Sequence, residues 1–348
     1  MDALFTGHFG AAPATRVALP GRVNLLGEWT DFSGGMVLPM ALELEVRLAL
    51  AANGLEQDRI ASAQFDGVVA RPMGDLARGH WSDYVAGALT HARSLGWAGQ
   101  GCYDVALDST VPHGSGLSTS AAVIVGVLRM LAPPGTPAPT IALEARRVEN
   151  EYIGVPCGIM DQMAVAVASP GHVLALDTGS LAFEQVPLPQ GWRLSIVHSG
   201  VSRELADGRY KQRRDEILAA AEALGVEQLC EADLVSTDRL PAPLAARARH
   251  VISEDVRTRA ALAHLKAGDI AAFGAAMREG QRSIAVDLEI TTREIDAQVE
   301  LMERHGALAA RQTGGGFGGC IVVLDRADEP DSWWEPLHRA FPKTRRIV

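Results

Sequence analysis

Apolar and polar positions along the chain spell out a mixture of short strands and longer helices. Arg16–Leu19 reads as a short strand stopped by Pro20-Gly21, and Leu44–Ala51 alternates with the two-residue period of a half-buried strand. Tyr103–Leu107, His172–Leu176 and Leu194–His198 read as further strands. Ser118–Leu131 is apolar almost throughout and too long for a strand, so a buried helix is expected there. Thr140–Tyr152 has helical spacing with polar faces. The second half is richer in helix: Arg203–Leu224, Glu254–Lys266, Ile270–Arg278 after the Gly268-Asp269 break, and Thr291–His305 ended by Gly306. Two short strands, Leu308–Arg311 and Ile321–Leu324, flank a glycine run. Pro187, Pro189 and Gly191 punctuate the middle, placing a domain boundary near 180–192. Strands and helices mixed in both halves predict an α/β or α+β architecture.

Composition narrows the function classes. The 348 residues suit two domains, and 47% hydrophobic residues are ample for buried cores. A formal net charge of −10, from 42 acids against 32 bases, disfavours a broad nucleic-acid or anionic-membrane surface. Cys102, Cys157, Cys230 and Cys320 form no CxxC pair and are expected to be reduced thiols of a cytoplasmic protein. No basic region followed by an apolar run opens the chain, and no apolar stretch reaches 18 residues, so neither a signal peptide nor a membrane span is expected.

Three glycine-bearing segments carry the candidate chemistry. In the first, Gly21-Arg22-Val23-Asn24-Leu25-Leu26-Gly27-Glu28-Trp29-Thr30-Asp31, polar groups crowd between glycine turns; they suit a small polar ligand or a solvated surface loop equally. The second, His113-Gly114-Ser115-Gly116-Leu117-Ser118-Thr119-Ser120, runs into the apolar helix. Glycines there let backbone approach a ligand, and a helix N-terminus favours a phosphate. Plain N-capping needs only one serine. The segment is not a Walker A loop, because no lysine precedes Lys211. The third, Thr313-Gly314-Gly315-Gly316-Phe317-Gly318-Gly319-Cys320, is either a flexible hairpin or a second backbone wall approaching a ligand. Asp161, amid Cys157, Gly158, Ile159 and Met160, reads as a carboxylate that needs partners. Glu149 with Ser120 could supply the protein share of a Mg²⁺ site, although an exposed helix carboxylate is the commoner reading of a lone glutamate.

Taken together, these segments resemble the GHMP small-molecule kinases and, within them, the galactokinase family. The Gly21–Phe32 stretch is similar to the galactokinase signature, Gly114–Ala122 to the GHMP phosphate loop, Cys157–Gln162 to the segment of the catalytic aspartate, and Thr313–Cys320 to the third motif. Trp81-Ser82-Asp83-Tyr84 and Tyr210-Lys211-Gln212-Arg213-Arg214 are also similar, and the order is the family's over nearly the whole chain.

The resemblance implies an α+β GHMP kinase fold: an N-terminal α/β domain (1–185), a C-terminal ferredoxin-like α+β domain (186–348), and an active site in the cleft between. It implies ATP and Mg²⁺ as co-substrate and cofactor, a small sugar as substrate, no nucleic acid or membrane partner, and a monomer or weak homodimer. Asp161 would be the base or orienting carboxylate, with Arg22 beside it. Ser120 and Glu149 would hold the metal. Gly114, Ser115, Gly116, Leu117, Ser118, Thr119 and Ser120 would cradle phosphates, and Trp81 would wall the adenine. Glu28, Trp29, Asp31, Gly158 and Tyr210 would contact the sugar. The reaction implied is transfer of the γ-phosphoryl to the anomeric hydroxyl of galactose. Trp29 and Phe32 depart from the family's histidine and tyrosine, and because a hydroxyl partner discriminates strongly, another sugar is a second expectation. A non-catalytic sugar sensor and an ATP-binding scaffold without a sugar are the remaining ones; intact Ser120-Ala121, Glu149 and Asp161 disfavour the sensor, and Glu28 and Asp31 beside Arg22 disfavour the scaffold.

Overall fold

The computed structural model describes residues 1–112, 114–201 and 207–348. In chain order the first elements are α1 (Asp2–Phe9), β1 (Thr15–Asn24), β2 (Met36–Val37), β3 (Pro39–Ala52), β4 (Gln57–Ser62), β5 (Val68–Pro72), α2 (Asp83–Ser94), β6 (Tyr103–Ser109), α3 (Thr119–Leu131), α4 (Ala138–Arg147) and α5 (Met160–Val167). Then come β7 (His172–Asp177), β8 (Phe183–Pro187), β9 (Trp192–His198), α6 (Asp207–Leu224), α7 (Leu244–Ala267), α8 (Ile270–Ser283), α9 (Arg293–Arg304), β10 (Ala309–Thr313), β11 (Cys320–Arg326), α10 (Trp334–Ala340) and β12 (Arg345–Arg346). The expected helix start at Arg203 and His113 of the second glycine segment lie outside the described residues.

Two compact units emerge, and neither is continuous in sequence. The first comprises 1–22, 41–113 and 117–170; the second comprises 23–40, 114–116 and 171–348.

In the first unit, β3 pairs antiparallel with β6 from Val46 opposite Ser109 to Ala52 opposite Tyr103. β6 runs parallel to β4, which pairs antiparallel with β5. β1 pairs with β3. The expected stop at Pro20-Gly21 does not occur: β1 continues to Asn24. An edge strand tolerates proline because its missing N–H costs no ladder bond. Gly21 is needed for proximity, since a Cβ there would stand 2.9 Å from the carbonyl of Leu117. That same carbonyl accepts the N–H of Arg22 at 3.1 Å. Helix α3 is the buried helix expected, with Ala121–Leu128 all buried. It packs against α2, α4 and α5. Thr140–Tyr152 is not one regular helix. α4 gives way at Val148–Ile153 to a wider π-type turn, a distortion that concentrates at functional sites, and Glu149 lies in it.

In the second unit, β9, β10, β11 and β12 form an antiparallel sheet in the order β10-β11-β9-β12. With helices intervening between β9 and β10 and α10 between β11 and β12, the succession is the βαββαβ of a ferredoxin-like domain. β7 pairs with β2 and β8, and at Val173 with Met40 of β3. Helix α7 begins at Leu244, ten residues before the expected Glu254, because its first turns bury Ala248, Val251 and Ile252 against Ile217 and Leu229. Among the described residues, no helix is long and apolar enough to cross a membrane.

Candidate active-site groups

The first unit brings four of the expected residues into two bonded pairs. Arg22, near the end of β1, is 5% exposed at its side chain and grips Asp161, which is 32% exposed. Its Nε donates to Oδ1 at 2.8 Å, and Nη2 stands 2.6 Å from the same oxygen. Asp161 occupies the first turn of α5, where the helix dipole also favours a negative charge. A guanidinium on one side and partial access to water on the other leave this carboxylate paired and reachable.

Ser120 Oγ donates to Glu149 Oε1 at 2.9 Å. Gln162 Nε2 donates to Glu149 Oε2 at 2.7 Å. Burial, then the nearby charge of Asp161, pushes the Glu149 carboxyl up from 4.5 to about 7, against the pull of these two donors. A cation at its oxygens would favour the ionised form, and hydroxyl and carboxylate are the hard oxygen donors Mg²⁺ prefers. Among the described residues, no group of three or more His, Cys, Asp or Glu could hold a metal ion unaided. Mg²⁺ sites for nucleotides usually combine one or two protein oxygens with phosphate oxygens and waters.

The second glycine segment is shaped as an anion receptor. Gly114, Gly116 and Ser118 have φ of 69°, 75° and 64°, alternating with ordinary residues. Such alternation points successive backbone N–H groups into one concavity. Serine in the left-handed region is strained by about 1–2 kcal/mol, and strain of this kind gathers where ligands are held. Ser118 Oγ is buried with no hydrogen-bond partner at the N-cap of α3, an orphaned donor that suits a phosphate oxygen. Ser115 and Leu117 are buried, and Thr119 and Ser120 open the helix, half-buried. Gly158 is buried just before α5, and Trp81, half-buried, precedes α2.

The second unit holds the rest of the signature. Glu28 is 1% exposed, and its Oε2 lies 2.7 Å from Arg311 Nη2. The same nitrogen donates to Glu254 Oε1 at 2.7 Å, and Arg257 pairs with the other Glu254 oxygen. Glu254 also accepts the Gly27 N–H at 2.9 Å. One guanidinium thus serves two buried carboxylates. Burial raises Glu28 from 4.5 to about 7 despite Arg311 and with Glu254 adding to the rise. Glu254 is lowered to about 2: burial opposes ionisation, but the Arg311 and Arg257 guanidiniums and the Gly27 N–H outweigh it. Glu254 is the partner that carries the charge. His250 is held neutral by burial; Nε2 lies 3.1 Å from the Glu28 carbonyl, which assigns it the proton.

Trp29 is 5% exposed and stands at φ 67° inside a hydrophobic cluster with Ile217, Leu229 and Phe317. Its ring lies 4.7 Å from Tyr210 and 6.0 Å from Phe32, and its Nε1 has no hydrogen-bond partner. Tyr210, on α6, and Asp31 are half-buried. The third glycine run closes on protein groups: a Cβ at Gly315 would meet the Tyr210 ring at 3.4 Å, and one at Gly316 would overlap Ile290.

Gln162, His250, Glu254 and Arg311 were not singled out from the sequence. Gln162 carried a signal in its place directly after Asp161. Arg311 carried another, a charge within a short apolar strand.

Three family models match in chain order. One described as the galactokinase galactose-binding signature covers residues 3–52. The GHMP kinases N terminal domain covers 83–169, and the GHMP kinases C terminal model covers 260–343. Among solved structures, the chain is similar to Lactococcus lactis galactokinase complexed with galactose, at 26% identity and a TM-score of 0.92 over 99% of this chain and 95% of that one. It is also similar to Methanococcus jannaschii mevalonate kinase, at 17% identity and 0.69 over 95% and 96%. A D-glycero-D-manno-heptose 1-phosphate kinase matches at 15% identity and 0.61 over 94% and 92%. These last two share the fold.

Proposed function

The chain belongs to the GHMP kinases, and from that premise we propose that it transfers the γ-phosphoryl group of ATP to the anomeric hydroxyl of galactose, giving galactose 1-phosphate and ADP. The observation that carries this reading is the Arg22–Asp161 pair within a chain that bears the galactokinase signature. Phosphoryl transfer leaves a protein mainly positioning and charge stabilisation to perform. Asp161 is the acceptor for the hydroxyl proton, or the charge that orients the hydroxyl. Arg22 holds it in place and offers a cation to the moving phosphoryl group.

The 114–120 backbone and the Ser118 hydroxyl would receive phosphate oxygens. Ser120 and Glu149 would hold Mg²⁺, which supplies charge neutralisation on those oxygens when bound. Asp31, Tyr210 and Gly158 would read the sugar. Glu28, committed to Arg311, sets the signature loop in place as well as offering a carboxyl. The sequence divides functionally as an N-terminal kinase domain over 1–185 and a C-terminal one over 186–348.

Trp29 bears on which sugar is used. Its ring offers one N–H where the family places a histidine, and that N–H has no partner among the described residues. An ADP-release assay across galactose, glucose, N-acetylgalactosamine, arabinose, galacturonate and glucuronate tests the assignment. Galactose is expected to give the highest kcat/KM. A higher value for another sugar would reassign the substrate while leaving the phosphoryl chemistry intact, and no turnover on any would count against the enzyme itself.

A further inference from the structure

Helix α5 is buried almost all round, and its buried positions are apolar except at one place. Met160, Met163, Ala164, Val165 and Ala166 are buried, and Gln162 among them is 0% exposed. A glutamine carries a carbonyl acceptor and an amide donor, and burial takes water away from both. Only the nitrogen is satisfied: Nε2 donates to Glu149 Oε2 at 2.7 Å, while Oε1 has no hydrogen-bond partner among the described residues. A buried acceptor left unmade is costly, and leucine or methionine would fill the same space without that cost. Packing therefore does not account for the amide. What the amide gains is its bond to the Glu149 carboxylate.

The surroundings hold that bond from both sides. The nitrogen also lies 3.5 Å from Cys157 Sγ, and the Cys157 N–H donates to Asn150 Oδ1 at 2.8 Å. Asn150 stands next to Glu149 in the π-type turn Val148–Ile153. The chain thus runs from Glu149 through Cys157 to Gln162 and returns to the carboxylate. The other carboxylate oxygen, Oε1, takes the Ser120 hydroxyl at 2.9 Å from the first turn of α3. With Oε2 committed to Gln162, Oε1 beside Ser120 is the oxygen left to offer a cation. Gln162 also directly follows Asp161, so one turn of α5 carries both the candidate base and the group that fixes Glu149.

We propose that Gln162 is a positioning residue for the cation site: through its amide N–H it locks the Glu149 carboxylate in the orientation that, with Ser120, binds Mg²⁺. The proposal rests on the cation reading above and adds to it a residue that acts through Glu149. Partners that orient a ligating group in this way typically set metal affinity by a factor of about 10–100.

The test is the affinity of Mn²⁺ for the complex of the full chain with ADP, read by water-proton relaxation, in wild type, Gln162→Met, Glu149→Gln and the double variant. Mn²⁺ takes the same oxygen donors as Mg²⁺ and is visible to this measurement. Methionine matches glutamine in length and lacks the donor. Gln162→Met is expected to weaken Mn²⁺ binding by about 10- to 100-fold and to leave the binding of ADP in EDTA unchanged. The loss should vanish in the Glu149→Gln background, because no carboxylate is then left to orient. Wild-type Mn²⁺ affinity in Gln162→Met would overturn the proposal. An equal loss of metal-free ADP binding would overturn it too, by showing a general disturbance of packing. So would a full further loss on top of Glu149→Gln, which would mark an action that does not pass through Glu149. Failure of Glu149→Gln itself to weaken Mn²⁺ would bring down the cation reading, and this proposal with it.

Discussion

Replacing Asp161 with asparagine is expected to lower kcat by about 10²- to 10⁴-fold, the usual contribution of a positioned acid–base group, with sugar and nucleotide affinity little changed. Asparagine keeps the shape of the side chain and can still meet the Arg22 guanidinium through its carbonyl oxygen. It cannot take a proton, and it no longer balances a cation that is 5% exposed. The loss should therefore appear in turnover and not in binding. Steady-state kinetics together with calorimetric titration of galactose would separate the two. Turnover like that of wild type would remove Asp161 from the chemistry.

Replacing Arg311 with alanine is expected to destabilise the chain by about 3–5 kcal/mol, the cost of removing one member of a buried ion-pair network. Arg311 is fully buried and lies 2.7 Å from both Glu28 and Glu254. Removing it takes one of two guanidiniums from Glu254, leaving Arg257, and Glu254 also fixes the signature loop through the Gly27 N–H. Arg311→Lys, retaining a charge but not the planar fork, should fall between.

The same network sets a pH dependence. Glu254 titrates at about 2 in the folded chain against an ordinary 4.5, so the unfolded chain takes up the proton first as pH falls. Its stabilisation is present above 4.5 and drains away towards 2. Glu28 works in the opposite sense. Between 4.5 and about 7 the folded chain keeps a proton that the unfolded chain has released, so stability declines as pH rises through that window. In Arg311→Ala the acid-side contribution of Glu254 should shrink and the decline from Glu28 should extend to higher pH. Urea unfolding at about pH 3, about pH 5 and about pH 8 would measure both. An unchanged midpoint at any of these pH values would contradict the account of the buried pair.

Local chemistry explains which parts of this molecule were readable in the chain. Helix α3 was legible because ten uncharged residues, Thr119 to Leu128, leave few alternatives to a buried helix. The turn geometry of Gly114–Ser118 was legible because glycine and serine at a helix start have a direct backbone meaning. β1 was misjudged at Pro20 because a proline stops a central strand but not an edge one, and the distinction depends on which strand pairs where. The π-type turn at Val148–Ile153 leaves no mark on helical spacing, since α4 and the turn share one polar pattern. The Glu28–Arg311–Glu254 network was invisible: residues 28, 254 and 311 are far apart in sequence, and neither the place of Glu28 in the signature nor a charge in the apolar strand at Arg311 names its partner. Trp29 could be seen to depart from a family pattern, but only the fold places it against Tyr210 and Phe317 in an apolar cluster.

The central claim is that the γ-phosphoryl of ATP passes to the anomeric oxygen of galactose. Phosphorus NMR of the product formed from MgATP and galactose addresses it most directly. The account predicts a single sugar phosphate whose phosphorus couples to the anomeric proton, formed in step with ADP. A phosphate on any other carbon, or ADP released without a sugar phosphate, would contradict it.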